Sequence, residues 1–275
     1  MIHLAAFSGG KDSTAVLCWL REQGIEFTAV FADTGWEHPL TYAYVEEINQ
    51  QLLGGKLVTV RSEKYTGFRD LVIQRHRIPG ARSRFCTDEL KVFPLHQFIE
   101  SLDDTATVYQ GVRADESRKR STMPQREWVD DASGYWIERP LFHWTAAQCF
   151  EIAKRHGVKP NPLYLLGAGR VGCWPCVMVS LRELKALLKT TPGIKERLIE
   201  LEAAMAEAHH DLSATFFRVG TIPERYCTKP YTTKDGREMM VPRCEDVFRY
   251  LESVDEHQLP LLETPKCLSI YNLCE

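Results

Sequence analysis

Short apolar runs and longer stretches of helical period alternate through the first half of the chain. Ile2–Phe7 has the length and apolar character of a strand. Ser13–Glu22 follows with Val16, Trp19 and Leu20 on one face, which predicts a helix. Phe27–Phe31 predicts a second strand. Leu40, Tyr44, Ile48 and Leu52 recur at i, i+4 spacing and predict a helix over Leu40–Leu52. Leu57–Val60 and Thr107–Val112 predict further strands, and Phe68–His76 and Asp88–Ser101 further helices. Such alternation predicts an α/β fold, a doubly wound parallel sheet with helices on both faces. Ligands of such sheets bind outside the carboxyl ends of the strands. The loops starting at Ser8, Ala32 and Arg113 then share one rim.

The pattern loosens from about Ala114. Helices are predicted over Thr145–His156, where Thr145 offers an N-cap, and over Leu181–Lys189 and Ile194–His209. From Asp211 the chain is rich in Pro, Cys, Arg and Lys. Lys234-Asp235-Gly236 between Tyr231 and Met239 predicts a hairpin turn, and Glu245–Ser253 a short helix. The predicted organisation is a large α/β domain over 1–210 and a small Cys-rich C-terminal module over 211–275.

Length and charge narrow the function. The 275 residues suffice for one full core plus an appendage. No apolar stretch reaches membrane-spanning length, and no basic segment followed by a long apolar run heads the chain, so a cytoplasmic location and no membrane partner are expected. A net charge of −3 argues against non-specific nucleic-acid binding by the whole molecule. Two local basic runs, Arg75/Arg77/Arg82/Arg84 and Arg113/Arg118/Lys119/Arg120, leave local anion binding open. Nine cysteines are many for a reducing compartment, where disulfides are not expected. Cys18 and Cys149 fall in helical patterns and read as small core residues. The other seven sit at loop-like positions and are candidates for metal or redox chemistry.

The sharpest chemical signal is Ser8-Gly9-Gly10-Lys11-Asp12-Ser13, at a predicted strand–turn–helix corner. Two glycines let the backbone approach a ligand closely. The helix N-terminus presents N–H groups and a favourable dipole to an anion. Lys11 adds positive charge, Asp12 an oxygen ligand for a hard cation, and Ser13 a hydroxyl. The corner is suited to phosphate, though its spacing differs from the Walker loop. Asp33-Thr34-Gly35, at the next strand end, is a candidate for ribose or Mg²⁺ contact. Arg113, after the strand at Thr107, is placed to grip a phosphate or sulfate. Arg84 and Lys91 bracket Cys86, which favours thiolate there. Cys86, Cys173 and Cys176 form a candidate metal site, either structural zinc (Zn²⁺) or an iron–sulfur cluster. Cys227 is a candidate fourth ligand. Alternatively Cys227, Cys244, Cys267 and Cys274 form a separate four-thiolate set.

Taken together, these motifs resemble those of the phosphoadenosine-phosphosulfate reductase family, within the N-type ATP pyrophosphatase (PP-loop) superfamily. The resemblance covers roughly residues 1–180. It rests on Ser8–Ser13, Asp33-Thr34-Gly35, Arg84–Thr87 with Lys91, Gly111–Ser117 and Cys173/Cys176 in the family's order. It implies a PP-loop ATPase-like fold and either reduction of sulfonucleotides or ATP-driven activation of a substrate for sulfur insertion. The reductases carry a C-terminal Glu-Cys-Gly-Leu-His segment, whereas this chain ends Asn272-Leu273-Cys274-Glu275. Paired adjacent cysteines of the cluster-bearing reductases are replaced by Cys86 alone. The chain looks more like the ATP pyrophosphatase subunits of DNA phosphorothioation systems and phage-borne relatives. That likeness implies ATP and Mg²⁺ as cofactors and Lys11, Asp12 and Arg113 as catalytic residues. It further implies a sulfur-donor protein such as a cysteine desulfurase and a nucleic-acid substrate.

Overall fold

The computed structural model describes residues 1–80, 83–130, 134–208, 215–233, 235–255 and Leu259. Its strands are β1 (Ile2–Phe7), β2 (Thr28–Ala32), β3 (Val58–Val60), β4 (Ala106–Tyr109), β5 (Arg126–Val129), β6 (Tyr135–Glu138), β7 (Lys229–Thr232) and β8 (Glu238–Val241). The first helices are α1 (Lys11–Glu22), α2 (Pro39–Leu53), α3 (Phe68–Gln74), α4 (Phe85–Thr87) and α5 (Phe93–Glu100). The later ones are α6 (Ala146–Arg155), α7 (Pro162–Leu165), α8 (Leu181–Thr190), α9 (Ile194–Ala208) and α10 (Cys244–Ser253).

Six strands form one sheet in the order β3-β2-β1-β4-β6-β5. Neighbours are parallel except at the β5 edge, which pairs antiparallel with β6 from Arg126↔Glu138 to Val129↔Tyr135. The sheet is therefore mixed and mostly parallel, where the sequence predicts a parallel one. β5 and β6 lie on the chain, three residues of which are outside the described set between them, so the short connection favours an antiparallel hairpin. Strand alternation feeds two layers. Ala5, Phe7, Ala29 and Phe31 pack under α1, α2 and α6, with Leu17, Ile48 and Ile152 fully buried. Leu4, Val30, Val108 and Ile137 face the other way, against Leu95 and Ile99 of α5. Helices thus cover both faces, as predicted.

Local chemistry sets the helix ends. Thr145 caps α6 by accepting from the Gln148 N–H, and Gln148 returns a bond to the Thr145 N–H. The predicted helix over Asp88–Ser101 instead runs from α4 through a π-turn at Asp88–Val92 into α5. Pro94 lacks an N–H and its ring crowds the preceding turn, which accounts for the widened turn just before it. The strand predicted over Thr107–Val112 stops at Tyr109; the Gln110 N–H still donates to the Glu138 carbonyl of β6, and Gly111 then crosses against the backbone of Asp12 and Ser13.

Farther along, Tyr231 pairs with Met239 in the β7–β8 hairpin, whose turn includes Asp235 and Gly236. α10 begins one residue before its predicted start. Its Cys244, Val247, Phe248 and Leu251 share a core cluster with Leu198, Leu201 and Met205 of α9 and with Trp36 and Trp174. Buried Glu202 of α9 accepts from the Phe216 N–H at 2.8 Å and the Cys244 N–H at 3.1 Å. No helix among the described residues is long and apolar enough to cross a membrane.

Candidate nucleotide site and cysteine cavity

The corner predicted from Ser8–Ser13 stands at the carboxyl end of β1, beside the point where strand order reverses between β1 and β4. Gly9 has φ +78°, and a Cβ there would come within 3.2 Å of both Thr41 and Val45 on α2. Gly10 caps α1 without a side chain, so the first turn faces the corner through backbone alone. Ser8 and Ser13 hydroxyls lie 3.0 Å apart, and Ser13 Oγ donates to the Gly10 carbonyl at 3.1 Å. Two side chains from the far half of the chain brace the turn. Asn161 Nδ2 donates to the Gly9 carbonyl at 3.1 Å, and the Lys11 N–H donates to Tyr164 Oη at 2.9 Å.

Asp12 is 1% exposed and holds the two cations of the site. Lys11 Nζ is 2.7 Å from its Oδ2, and Arg113 Nε is 2.6 Å from its Oδ1. Arg113 also pairs with Asp115. Burial disfavours the Arg113 charge, but Asp12, Glu116 and Asp115 reverse that and hold its pKa above the usual value. Lys11, Asp12 and Arg113 are therefore brought together into one buried chain of charge. Gly111 completes the corner. A Cβ on it would stand 2.6 Å from the Asp12 carbonyl carbon and 2.7 Å from the Ser13 nitrogen. Only a glycine lets this crossing backbone lie against the turn.

Asp33, Thr34 and Gly35 follow β2 on the same rim. Asp33 Oδ1 accepts from the Gly35 N–H at 2.9 Å, and Tyr42 Oη lies 2.7 Å away. Arg61, one residue beyond β3, donates through Nε and Nη2 to Oδ2 at 2.9 and 2.6 Å. Burial pushes the Asp33 carboxyl up, but the bonds from Tyr42, Gly35 and Arg61 outweigh it and leave the pKa below the usual value. Asp33 is thus held as a carboxylate. Between these loops lies a cavity of about 70 Å³ lined by Ala6, Ser8, Ser13, Val30, Ala32, Val60, Lys91, Leu95, Gln110, Gly111 and Arg120, among others.

A second cavity, about 50 Å³, contains the cysteine motif. Cys86, Cys173 and Cys176 line it with Thr34, Trp36, Arg84, Lys91, Arg170 and Trp174. Lys91 thus borders both cavities. Arg170 Nη2 lies 3.0 Å from Cys176 Sγ. Burial, opposed by Lys91 and reinforced by Glu37, Cys176 and Cys86, pushes the Cys173 thiol up to about 12. The cavity is laced to the nucleotide rim. Glu37 and Cys173 form an isolated β-bridge, and the Trp174 N–H donates to the Trp36 carbonyl at 2.7 Å. Trp36 Nε1 donates to the Pro175 carbonyl at 3.2 Å, and the Arg197 guanidinium stacks 3.8 Å above the Trp36 ring.

The proposed metal ligands separate on this frame. Cys227 does not line the cysteine cavity. It sits by α10, where burial, Asp246 and Glu224 raise its pKa. Cys244 is buried at the start of α10, its pKa raised by burial and then by Glu202. Cys267 and Cys274, like Arg82 of the first basic run, lie outside the described residues. Among the described residues, no group of three or more His, Cys, Asp or Glu side chains is gathered closely enough to hold a metal ion. The three cavity cysteines therefore share a space without forming a closed ligand set.

Arg61, Tyr42 and Asn161 are site residues to which the sequence reading gave no role, and Gly111 was read only as part of the Gly111–Ser117 motif. Arg61 carries a recoverable signal, since it immediately follows a strand end on the predicted rim. Asn161 comes from a different part of the chain and carries none.

Known proteins agree with this architecture. An uncharacterized 37.8 kDa protein of Escherichia phage 186 is 32% identical over 82% of this chain and 81% of its own length. An adenosine 5'-phosphosulfate reductase of Allochromatium vinosum is 30% identical over 62% of this chain and 66% of its own length, just under two thirds. The crystal structure of a phosphoadenylyl-sulfate reductase from Candida auris, a phosphate complex, superposes with a TM-score of 0.51 at 20% identity. It covers 64% of this chain and 83% of that one, and shows the shared fold. Residues 2–179 match the phosphoadenosine phosphosulfate reductase domain, the stretch that carries both cavities' motifs, and the chain belongs to that family.

Proposed function

We propose that this protein is an ATP pyrophosphatase that adenylates a substrate for sulfur transfer. The observation that carries the reading is the Ser8–Ser13 corner, with Lys11 and Arg113 both anchored on buried Asp12 beside the α1 N-terminus. A triphosphate laid on the turn meets the helix dipole and Lys11. The base then extends toward the 70 Å³ cavity and the ribose toward Asp33. A substrate oxygen attacks the α-phosphorus, the α–β bridging bond breaks, and pyrophosphate leaves with the bonding pair. Lys11 and the helix N-terminus stabilise the developing charge. Arg113, held by Asp12, orients the incoming anion.

Mg²⁺ would neutralise the pyrophosphate when bound; Asp12, whose two oxygens are taken by Lys11 and Arg113, would ligate it only once one of those cations turned to the phosphates. Attack by a sulfur nucleophile on the adenylated substrate then releases AMP. The nucleophile is the terminal sulfur of a persulfide on a protein of the cysteine desulfurase type; once it is bonded to the substrate, a second thiol of the donor attacks the inner sulfur, breaks the S–S bond and leaves with it as a disulfide, so that one sulfur stays on the substrate. A DNA phosphate is the acceptor that the phosphorothioation likeness suggests. Zinc or an iron–sulfur cluster at Cys86, Cys173 and Cys176 belongs to the same proposal, and requires the three thiols to draw together.

The test incubates anaerobically purified protein with ATP and Mg²⁺, with and without DNA or tRNA. AMP and pyrophosphate are expected; ADP and phosphate as the sole products would refute α-phosphorus attack. A second reading, sulfonucleotide reduction, is favoured by the likeness to adenosine 5'-phosphosulfate reductases. It predicts sulfite release from a sulfonucleotide with thioredoxin and without ATP.

A further inference from the structure

The base cavity contains a polar atom that the nucleotide reading leaves unused. Gln110 is the first residue beyond β4 and is 4% exposed. Its Oε1 is buried and has no hydrogen-bond partner. Gln110 is also one of the residues around the 70 Å³ cavity, whose walls include Ala6, Val30, Ala32 and Val60. An orphaned buried carbonyl is costly, and native structures rarely keep one without a partner. The aliphatic part of the lining, next to the Gln110 acceptor, suits a flat heteroaromatic ring that brings an N–H donor on its edge, while Lys91 and Arg120 make up the cavity's cationic side. Ser8 and Ser13 of the phosphate corner border the cavity too, so ring and phosphate belong to one ligand.

We infer that Gln110 is the specificity-determining residue for the base: its Oε1 accepts from the exocyclic amino group of adenine. A purine with hydrogen at that position leaves Oε1 unpaired. A 6-oxo purine sets a second acceptor against it. Amide groups pair with adenine in the same sense elsewhere, donor and acceptor side by side. This inference rests on the nucleotide-binding reading above and adds to it the residue that selects the base.

Calorimetric titration of the full chain tests it with ATP, purine riboside 5'-triphosphate and ITP. Wild type is expected to bind ATP about tenfold or more tightly than either analogue, the scale of one buried hydrogen bond lost. Gln110→Met removes the acceptor at similar length and is expected to bring ATP down to the level of purine riboside triphosphate. Gln110→Glu keeps an acceptor and is expected to retain the preference for ATP over purine riboside triphosphate, even where overall affinity falls. Should the Met variant not fold, wild type and the Glu variant still decide. Equal wild-type affinities, or an undiminished preference in a folded Met variant, overturn the role of Gln110 alone. Failure of wild type to bind any of the three overturns the nucleotide reading as well.

Discussion

The phosphate corner and the cysteine cavity sit side by side and share Lys91, yet they are built in opposite ways. The corner is local. Six consecutive residues form its turn, and its two cations are already paired with a buried carboxylate. The cysteine cavity is assembled from the Thr34–Trp36 loop, the segment from Arg84 to Lys91 and the chain from Leu163 to Leu187. Its Cys173 thiol is held protonated by burial, despite nearby Lys91. The corner is therefore organised for an anion before one arrives. The cavity favours the neutral form of at least this thiol. The Glu37–Cys173 bridge and the Arg197 stack join the two, so the loop bearing Asp33 and the loop bearing Cys173 are mechanically one unit.

Five substitutions or conditions sharpen that contrast. The largest effect is expected from Asp12→Asn. It leaves Arg113 buried without its main counter-charge and should cost about 3–5 kcal/mol, read by urea unfolding. A loss under about 1 kcal/mol would show that the charge chain does not organise the corner. Gly111→Ala drives a methyl into the Asp12–Ser13 backbone and should cost about 3 kcal/mol and weaken nucleotide binding. Normal stability and binding would mean the crossing is looser than described.

Arg197→Met removes the cation from over Trp36 and should cost about 1–2 kcal/mol. It also removes a cation that favours the Cys173 thiolate, so alkylation of Cys173 by iodoacetamide, followed by mass spectrometry, should slow, whereas an unchanged rate would place Arg197 outside the field of the thiol. In wild type the same reaction should be slow at pH 8 and accelerate as pH rises toward about 12.

The smallest effect concerns His38, which caps α2 by accepting from the Leu40 N–H at Nδ1. Burial, then Arg197, hold its pKa below the usual 6.5. The unfolded chain takes up the proton first, so this contribution is complete above pH 6.5 and declines as pH falls below it. His38→Asn, which keeps a capping oxygen, should flatten that acid limb in thermal melts. An unchanged limb would assign it to another group.

Much of the fold was legible because its signals are local. β1, α1 and β2 announce themselves by period, and Thr145 by its capping position. The β5–β6 hairpin was not, since four-residue strands carry too little alternation to stand out. The π-turn before Pro94 needed the backbone, although the proline was visible. At the site, Ser8–Ser13 and Arg113 were readable as strand-end chemistry. Asn161 was not, because a contact made across some 150 residues leaves no mark in spacing. Gly111 was visible within its motif, but the reason for a glycine appears only where its backbone meets Asp12.

The central claim is that the β1–α1 corner holds a nucleoside triphosphate. The most direct measurement is a crystal structure with α,β-methylene ATP and Mg²⁺. The account predicts phosphates on the Ser8–Ser13 turn beside Lys11, with the base in the cavity below Gln110. A triphosphate bound elsewhere, or a corner left empty at saturating ligand, would contradict it.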